Sequence, residues 1–210
     1  MLDRYALALL APALTRAAKA LARRGIGADA VTATGFALGV AAALAIAQQR
    51  YATGLALLLA SRLADGLDGA VARATRPTDR GAFLDISADF LFYAAIPLAF
   101  AYADPARNAL AAALLLAAFI GTGATFLAFA VMAERRRLAS ADYPSKGFFY
   151  LGGLTEGTET IACFALMCLV PRHFAWWAGG FAVLRALTIA TRLVAGCRML
   201  GEAPRAGSDG

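Results

Sequence analysis

Charge is scarce in this chain. Only 16% of its 210 residues are Asp, Glu, Lys or Arg, whereas a soluble domain carries about a quarter. Mean hydropathy is +0.64. The apolar residues come in long runs separated by short polar turns, which excludes a water-soluble globular fold. Histidine is almost missing, with His173 the single example. It shares no metal-ligand spacing with the three cysteines, Cys163, Cys168 and Cys197, so zinc is not the metal expected. The cysteines read as small core or lipid-facing residues, not as disulfide halves. No small-residue cleavage site follows a short apolar core near Met1, so no cleavable signal peptide is expected. Repeats, low-complexity tracts and domain-boundary signals are lacking too. One integral-membrane domain over residues 1–200 is expected, then a polar tail, 201–210, that reads as disordered.

What is present is a pattern of apolar runs bounded by basic residues. The net charge is +6 and the pI about 9.7. Because Lys and Arg flank the runs, they read as topology signals, and no nucleic-acid partner is expected. Residues 2–24 predict an amphipathic helix, with Arg16, Lys19 and Arg23 at helical spacing and Leu9, Leu10, Leu14 and Leu21 on an apolar side. Residues 1–28 are therefore read as an interfacial segment lying on the bilayer. Six runs follow, over about 30–49, 51–75, 81–102, 108–133, 148–170 and 174–199, each near the 20 or so residues that cross the hydrocarbon. Asp29 is expected to cap the first of them. The fold class is all-α: a polytopic membrane protein of six transmembrane helices plus the N-terminal amphipathic helix. Fourteen Lys and Arg fall in the termini and the loops on their side, and three fall in the opposite loops. That asymmetry predicts both termini on the cytoplasmic side, with a bacterial cytoplasmic (inner) membrane as the expected location. His173, Trp176 and Trp177 read as an aromatic belt at the far interface.

Four acids break the apolar pattern within one stretch, Ser61 to Phe90. Asp65 and Asp68 are three apart on the second run, and Asp85 and Asp89 four apart on the third. Both spacings put a pair on one helix face. A short turn joins the two helices, so they are antiparallel neighbours and the pairs can converge. Carboxylates in lipid need a compensating cation, and an oxygen-only donor set suits a hard divalent ion. Gly66, Gly69, Ala70, Ala72 and Gly81 leave space for a ligand or for close helix packing, and Arg73 and Arg80 add positive charge. Metal, arginine and open backbone together describe a phosphate or diphosphate site. Caps and salt bridges to Arg62, Arg73 and Arg80 are the plainer account of the acids.

The run Asp65-x-x-Asp68-Gly69-x-x-Ala72-Arg73, followed by Gly81-x-x-x-Asp85-x-x-x-Asp89, resembles the signature of the CDP-alcohol phosphotransferases, also called CDP-alcohol phosphatidyltransferases. Residues 74–80 make the spacer one residue shorter than the usual pattern. The resemblance implies transfer of a phosphatidyl group from CDP-diacylglycerol to an alcohol, with release of CMP. It implies that Asp65, Asp68, Asp85 and Asp89 hold two Mg²⁺ or Mn²⁺ ions, that Asp89 is also the general base, and that Gly69, Ala72, Arg73 and Gly81 line the CDP site. Thr32 resembles a family position near the nucleotide, whereas Asp29 stands where relatives often have asparagine. A homodimer is implied as well.

The acceptor is left open by the sequence. Lys146, Arg185 and Arg192 point to a phosphorylated alcohol, glycerol 3-phosphate first and an inositol phosphate next. Glu156 and Glu159 point instead to an amino alcohol such as serine or choline, or serve to hold Arg185 or Arg192. A cation transporter is the rival from another class, and a non-catalytic scaffold a third; clustering of the acids at one membrane face argues against transport.

Overall fold

The chain folds as a helical bundle in a computed structural model that describes residues 3–136 and 157–201, with side chains described from residue 11. Among the described residues seven α-helices follow in order: α1 (Asp3–Arg23), α2 (Ala28–Ala47), α3 (Tyr51–Ala74), α4 (Asp79–Ala103), α5 (Pro105–Arg135), α6 (Gly157–Leu169) and α7 (Phe174–Gly201). A 3₁₀ turn, Pro171–His173, leads into α7. No strand occurs among the described residues. Among the described residues four stretches, Ala28–Ala47, Asp79–Ala103, Pro105–Arg135 and Pro171–Gly201, are long and apolar enough to cross a membrane. The protein is a polytopic membrane protein. Helix α3 falls outside that set because Arg62, Asp65, Asp68 and Arg73 lie on it. The described part of α6 is a 13-residue apolar helix, and the expected start of that run at residue 148 lies outside the described residues, as do Lys146, Glu156 and the tail from residue 202.

The turns follow from local chemistry. Thr78 caps α4 by accepting a hydrogen bond from the Gly81 N–H at 3.1 Å, so α4 begins two residues before the expected Gly81. Asp104 ends α4 and starts α5, accepting from the Arg107 N–H at 3.2 Å. Pro105 fits the first turn of α5, where its missing N–H would lack an intrahelical partner anyway. The expected cap on α2 is corrected: the helix begins at Ala28, its N-cap is Gly27, and Asp29 sits inside the first turn. Its carboxylate turns to Arg80 instead, at 3.5 Å.

Helix α2 packs on α3 and α4, α5 on α4 and α7, and α1 on α3. Lipid tails are as apolar as leucine, so close fit and aromatic contact, not water exclusion, hold such a bundle. Small residues make the fit. The Ser61 hydroxyl donates to the Gly35 carbonyl at 2.7 Å, and a Cβ on Gly39 would lie 2.7 Å from the Phe92 ring. The core is aromatic: Tyr93 stacks on Phe119 at 5.8 Å, Phe100 on Phe174 at 4.6 Å, and Phe164 meets Phe92 edge-on at 6.3 Å. Helix α1 buries Ala18 and packs Leu14 and Leu21 beside Val31, Ala70 and Val71, while Arg16, Lys19 and Arg23 stay exposed. Its apolar side is therefore turned onto the bundle.

Candidate active site

Asp65 and Asp68 project from α3, and Asp85 and Asp89 from α4, the two helices joined by the short turn after Ala74. Asp68 is buried, 4% exposed. Its Oδ2 accepts a hydrogen bond from the Thr32 hydroxyl at 2.6 Å. That bond ties α2 to α3 and brings Thr32 to the carboxylates. Asp65 and Asp89 are joined by a residue that the spacing argument left inside its helix, Arg62. Its Nη1 lies 2.6 Å from Asp89 Oδ1 and 3.4 Å from Asp65 Oδ1. The guanidinium is thus a cation seated between one acid of each pair. The signal for it was present in the sequence as an Arg-x-x-Asp step, Arg62 to Asp65, although helical spacing alone does not say which way a long side chain points.

As the side chains stand, no three acidic, Cys or His groups among the described residues enclose a common point for an ion. The donor chemistry nevertheless fits a hard divalent cation. It is oxygen-only, two of the acids already share a positive charge, and Asp65 and Asp89 remain about a third exposed.

The small and basic residues of the motif separate into different roles. The Arg73 side chain folds back over Gly69, where an added Cβ would lie 3.3 Å from its Nη1. Ala72 is half-buried and Arg73 exposed. Gly81 adjoins Thr78 and Asp29, whose Oδ1 would lie 3.3 Å from an added Cβ. Gly66, read as space beside the carboxylates, is overlaid by α1 instead: an added Cβ would meet Leu14 at 3.4 Å. Arg80 pairs with Asp29 and is mostly exposed.

Arg185 and Arg192 are both buried on α7. The Arg185 guanidinium donates to the Thr160 hydroxyl of α6 and lies over the Phe119 ring at 4.5 Å. Phe119 stacks on Tyr93, and the Arg62 guanidinium is 5.9 Å from the Tyr93 ring centroid. An aromatic layer of Tyr93 and Phe119 thus lies between Arg62, beside the aspartates, and Arg185. Arg192 approaches the Thr122 carbonyl of α5 at 3.4 Å. Glu159 is half-buried in the first turn of α6. Cys163 and Cys168 are buried, Cys197 is exposed, and all three are free thiols, as expected.

Apolar spanning helices with acids paired on two adjacent helices fit a membrane enzyme. The chain belongs to the CDP-alcohol phosphatidyltransferase family, which matches residues 26–184. It is a transferase of substituted phosphate groups in phospholipid biosynthesis. It is 50% identical over 196 residues, 93% of this chain and 95% of the relative, to the inner membrane protein YnjF of Escherichia coli. Over 70 residues, 33% of this chain and 36% of the relative, it is 49% identical to archaetidylinositol phosphate synthase of Methanothermobacter thermautotrophicus. Its fold resembles crystal structures of phosphatidylinositol phosphate synthase from Mycobacterium tuberculosis. The one with CDP-DAG bound has a TM-score of 0.66 at 24% identity, covering 88% of this chain and 93% of that one. The complex with manganese and citrate has a TM-score of 0.65 at 24% identity, covering 87% and 88%.

Proposed function

We propose that the enzyme transfers the phosphatidyl group of CDP-diacylglycerol to a phosphorylated alcohol and releases CMP. The observation that carries the donor half is the bridge from Asp65 of α3 to Asp89 of α4 through Arg62, one turn from Asp68, which Thr32 holds. Asp65, Asp68, Asp85 and Asp89 would hold Mg²⁺ or Mn²⁺, two ions by family resemblance. Such ions supply electrostatic stabilisation at the diphosphate and at the departing oxygen of CMP. Gly69, Ala72, Arg73, Gly81 and Thr32 form the nucleotide side of the site.

In the reaction, the acceptor hydroxyl oxygen attacks the phosphorus that bears the diacylglycerol. The bond from that phosphorus to CMP breaks, and CMP leaves with the electron pair. Asp89 takes the hydroxyl proton. Its Oδ1 is engaged by Arg62, which leaves Oδ2 for that role.

Arg185 and Arg192 support a phosphorylated acceptor, because arginine suits phosphate recognition and both side chains are buried away from bulk water. Lys146 belongs to the same reading. Glycerol 3-phosphate and an inositol phosphate both satisfy it, and the similarity to archaetidylinositol phosphate synthase favours the second. Glu156 and Glu159 would be the recognition groups for an amino alcohol. The test is a panel: purified enzyme, CDP-diacylglycerol and Mn²⁺ with each of glycerol 3-phosphate, inositol phosphate, serine and choline, the lipid product being identified by mass spectrometry. A product with one phosphorylated acceptor and none with serine or choline is expected; turnover with an amino alcohol alone overturns the assignment. The loop charges further support termini and a site mouth on the cytoplasmic side. The homodimer is checked by crosslinking in native membranes, where a band at monomer size only would count against it.

A further inference from the structure

Arg62 is a cation among the aspartates that the motif does not contain. Its side chain is 8% exposed. From the front it meets Asp89 and Asp65, one on each helix of the pair. From behind it is fixed: the guanidinium lies 3.8 Å from the centroid of the Phe92 ring, and Nη2 donates to the Ser61 hydroxyl at 3.3 Å. Phe92 is itself buried, and the Ser61 hydroxyl is committed to the Gly35 carbonyl. The platform under the charge is therefore part of the α2–α3–α4 packing. Nε is buried and has no hydrogen-bond partner among the described residues, so the polar contacts of the guanidinium run through its two terminal nitrogens. Arginine keeps its proton in any protein environment, which makes this a permanent positive charge set against two carboxylates.

We propose that Arg62 is a built-in counter-cation of the carboxylate site, bridging α3 and α4 in the metal-free protein and setting the affinity for divalent metal by competing for Asp65 and Asp89. This rests on the reading of the four aspartates as metal ligands. Physically, a fixed unit charge a few ångströms from a divalent ion weakens its binding by about tenfold even under water-like screening. Metal-free, the same charge offsets the repulsion between carboxylates that the bundle brings together. Arg62 is a positioning residue here: it orients Asp89 and tunes the site without touching the substrate.

The test is Mn²⁺ binding to the full-length detergent-solubilised protein, followed by electron paramagnetic resonance of the free ion, alongside thermal unfolding in EDTA and in Mn²⁺. Arg62→Gln is expected to bind Mn²⁺ about tenfold more tightly than the wild type. Its melting temperature is expected to fall in EDTA and to recover with Mn²⁺. Arg62→Lys keeps the charge and is expected to bind within about twofold of the wild type. A merely structural arginine would give weaker metal binding on removal, not tighter. Should Arg62→Gln fail to fold, the same change in an Asp89→Asn background keeps the net charge of the Arg62, Asp65 and Asp89 group unchanged and is compared with Asp89→Asn alone; the same direction of change is expected. Equal or weaker Mn²⁺ binding in the Arg62→Gln protein or in the paired background overturns the proposal. If the wild type binds Mn²⁺ and Asp65→Asn does not, that failure belongs to Arg62 alone. No Mn²⁺ binding in any variant overturns the metal reading of the aspartates and this proposal with it.

Discussion

Thr32 shows how much one side chain decides in this site. Its hydroxyl is the described side-chain donor to Asp68, the most buried of the four aspartates. A buried acceptor that loses its donor costs about 1–3 kcal/mol, more when charged. Thr32→Val keeps the shape and removes the donor, so a loss of roughly tenfold in turnover at limiting Mn²⁺ is expected, each 1.4 kcal/mol being about tenfold, with Thr32→Ser near wild type. Equal metal dependence of turnover in Thr32→Val and the wild type would count against the role given to this bond. At this scale the sequence was informative about residue types and less so about direction. The Asp spacings placed both pairs on their faces. The sequence offered Arg62 as a salt-bridge partner of the acids without saying which ones, because a helical arginine is free to point to lipid headgroups or inward, and only the arrangement of Asp89 and Phe92 decides. Asp29 misled for the same reason: its partner, Arg80, is fifty-one positions away along the chain, beyond any local capping rule.

The helices are positioned by close contacts at small residues, and those contacts reach the site. Gly39 lies against Phe92 and Ser61, the two groups on which Arg62 rests. Gly39→Ala forces that ring or that hydroxyl to move. Overpacking of this kind costs about 1–3 kcal/mol, and here it disturbs Arg62 as well. Thermal unfolding in detergent and CMP release should both fall in Gly39→Ala. Gly179→Ala, on α7 with nothing within 4 Å of its added Cβ, should leave activity intact and gain up to about 1 kcal/mol in helix stability. Equal effects of the two substitutions would contradict the packing account. Most helices were legible as apolar runs, with described ends off by up to three residues where a cap decides, as at Thr78 and Asp104. Gly66 was legible as a small residue but not as the place where α1 crosses α3, because that contact joins segments some fifty residues apart.

Across the molecule, the bundle divides the work between its two ends of sequence. Helices α2 to α4 carry the acids, Thr32 and the motif glycines, and that half was readable because the motif is local and its spacing is helical. Helix α7 carries Arg185 and Arg192, both buried, with Arg185 behind an aromatic layer formed by Tyr93 and Phe119. Here the sequence offered scattered polar residues without a pattern, and only tertiary packing assembles Phe119, Thr160 and Arg185. Both halves serve one central claim: the paired carboxylates run phosphatidyl transfer, with Asp89 taking the proton. The most direct measurement is CMP release from CDP-diacylglycerol in the presence of the preferred acceptor, with and without Mn²⁺, for the wild type and Asp89→Asn. The account predicts release that needs Mn²⁺ in the wild type and falls by about a hundredfold or more in Asp89→Asn, the usual worth of a positioned general base, in a protein whose melting profile shows it folded. Metal-independent release, or full activity in folded Asp89→Asn, would contradict it.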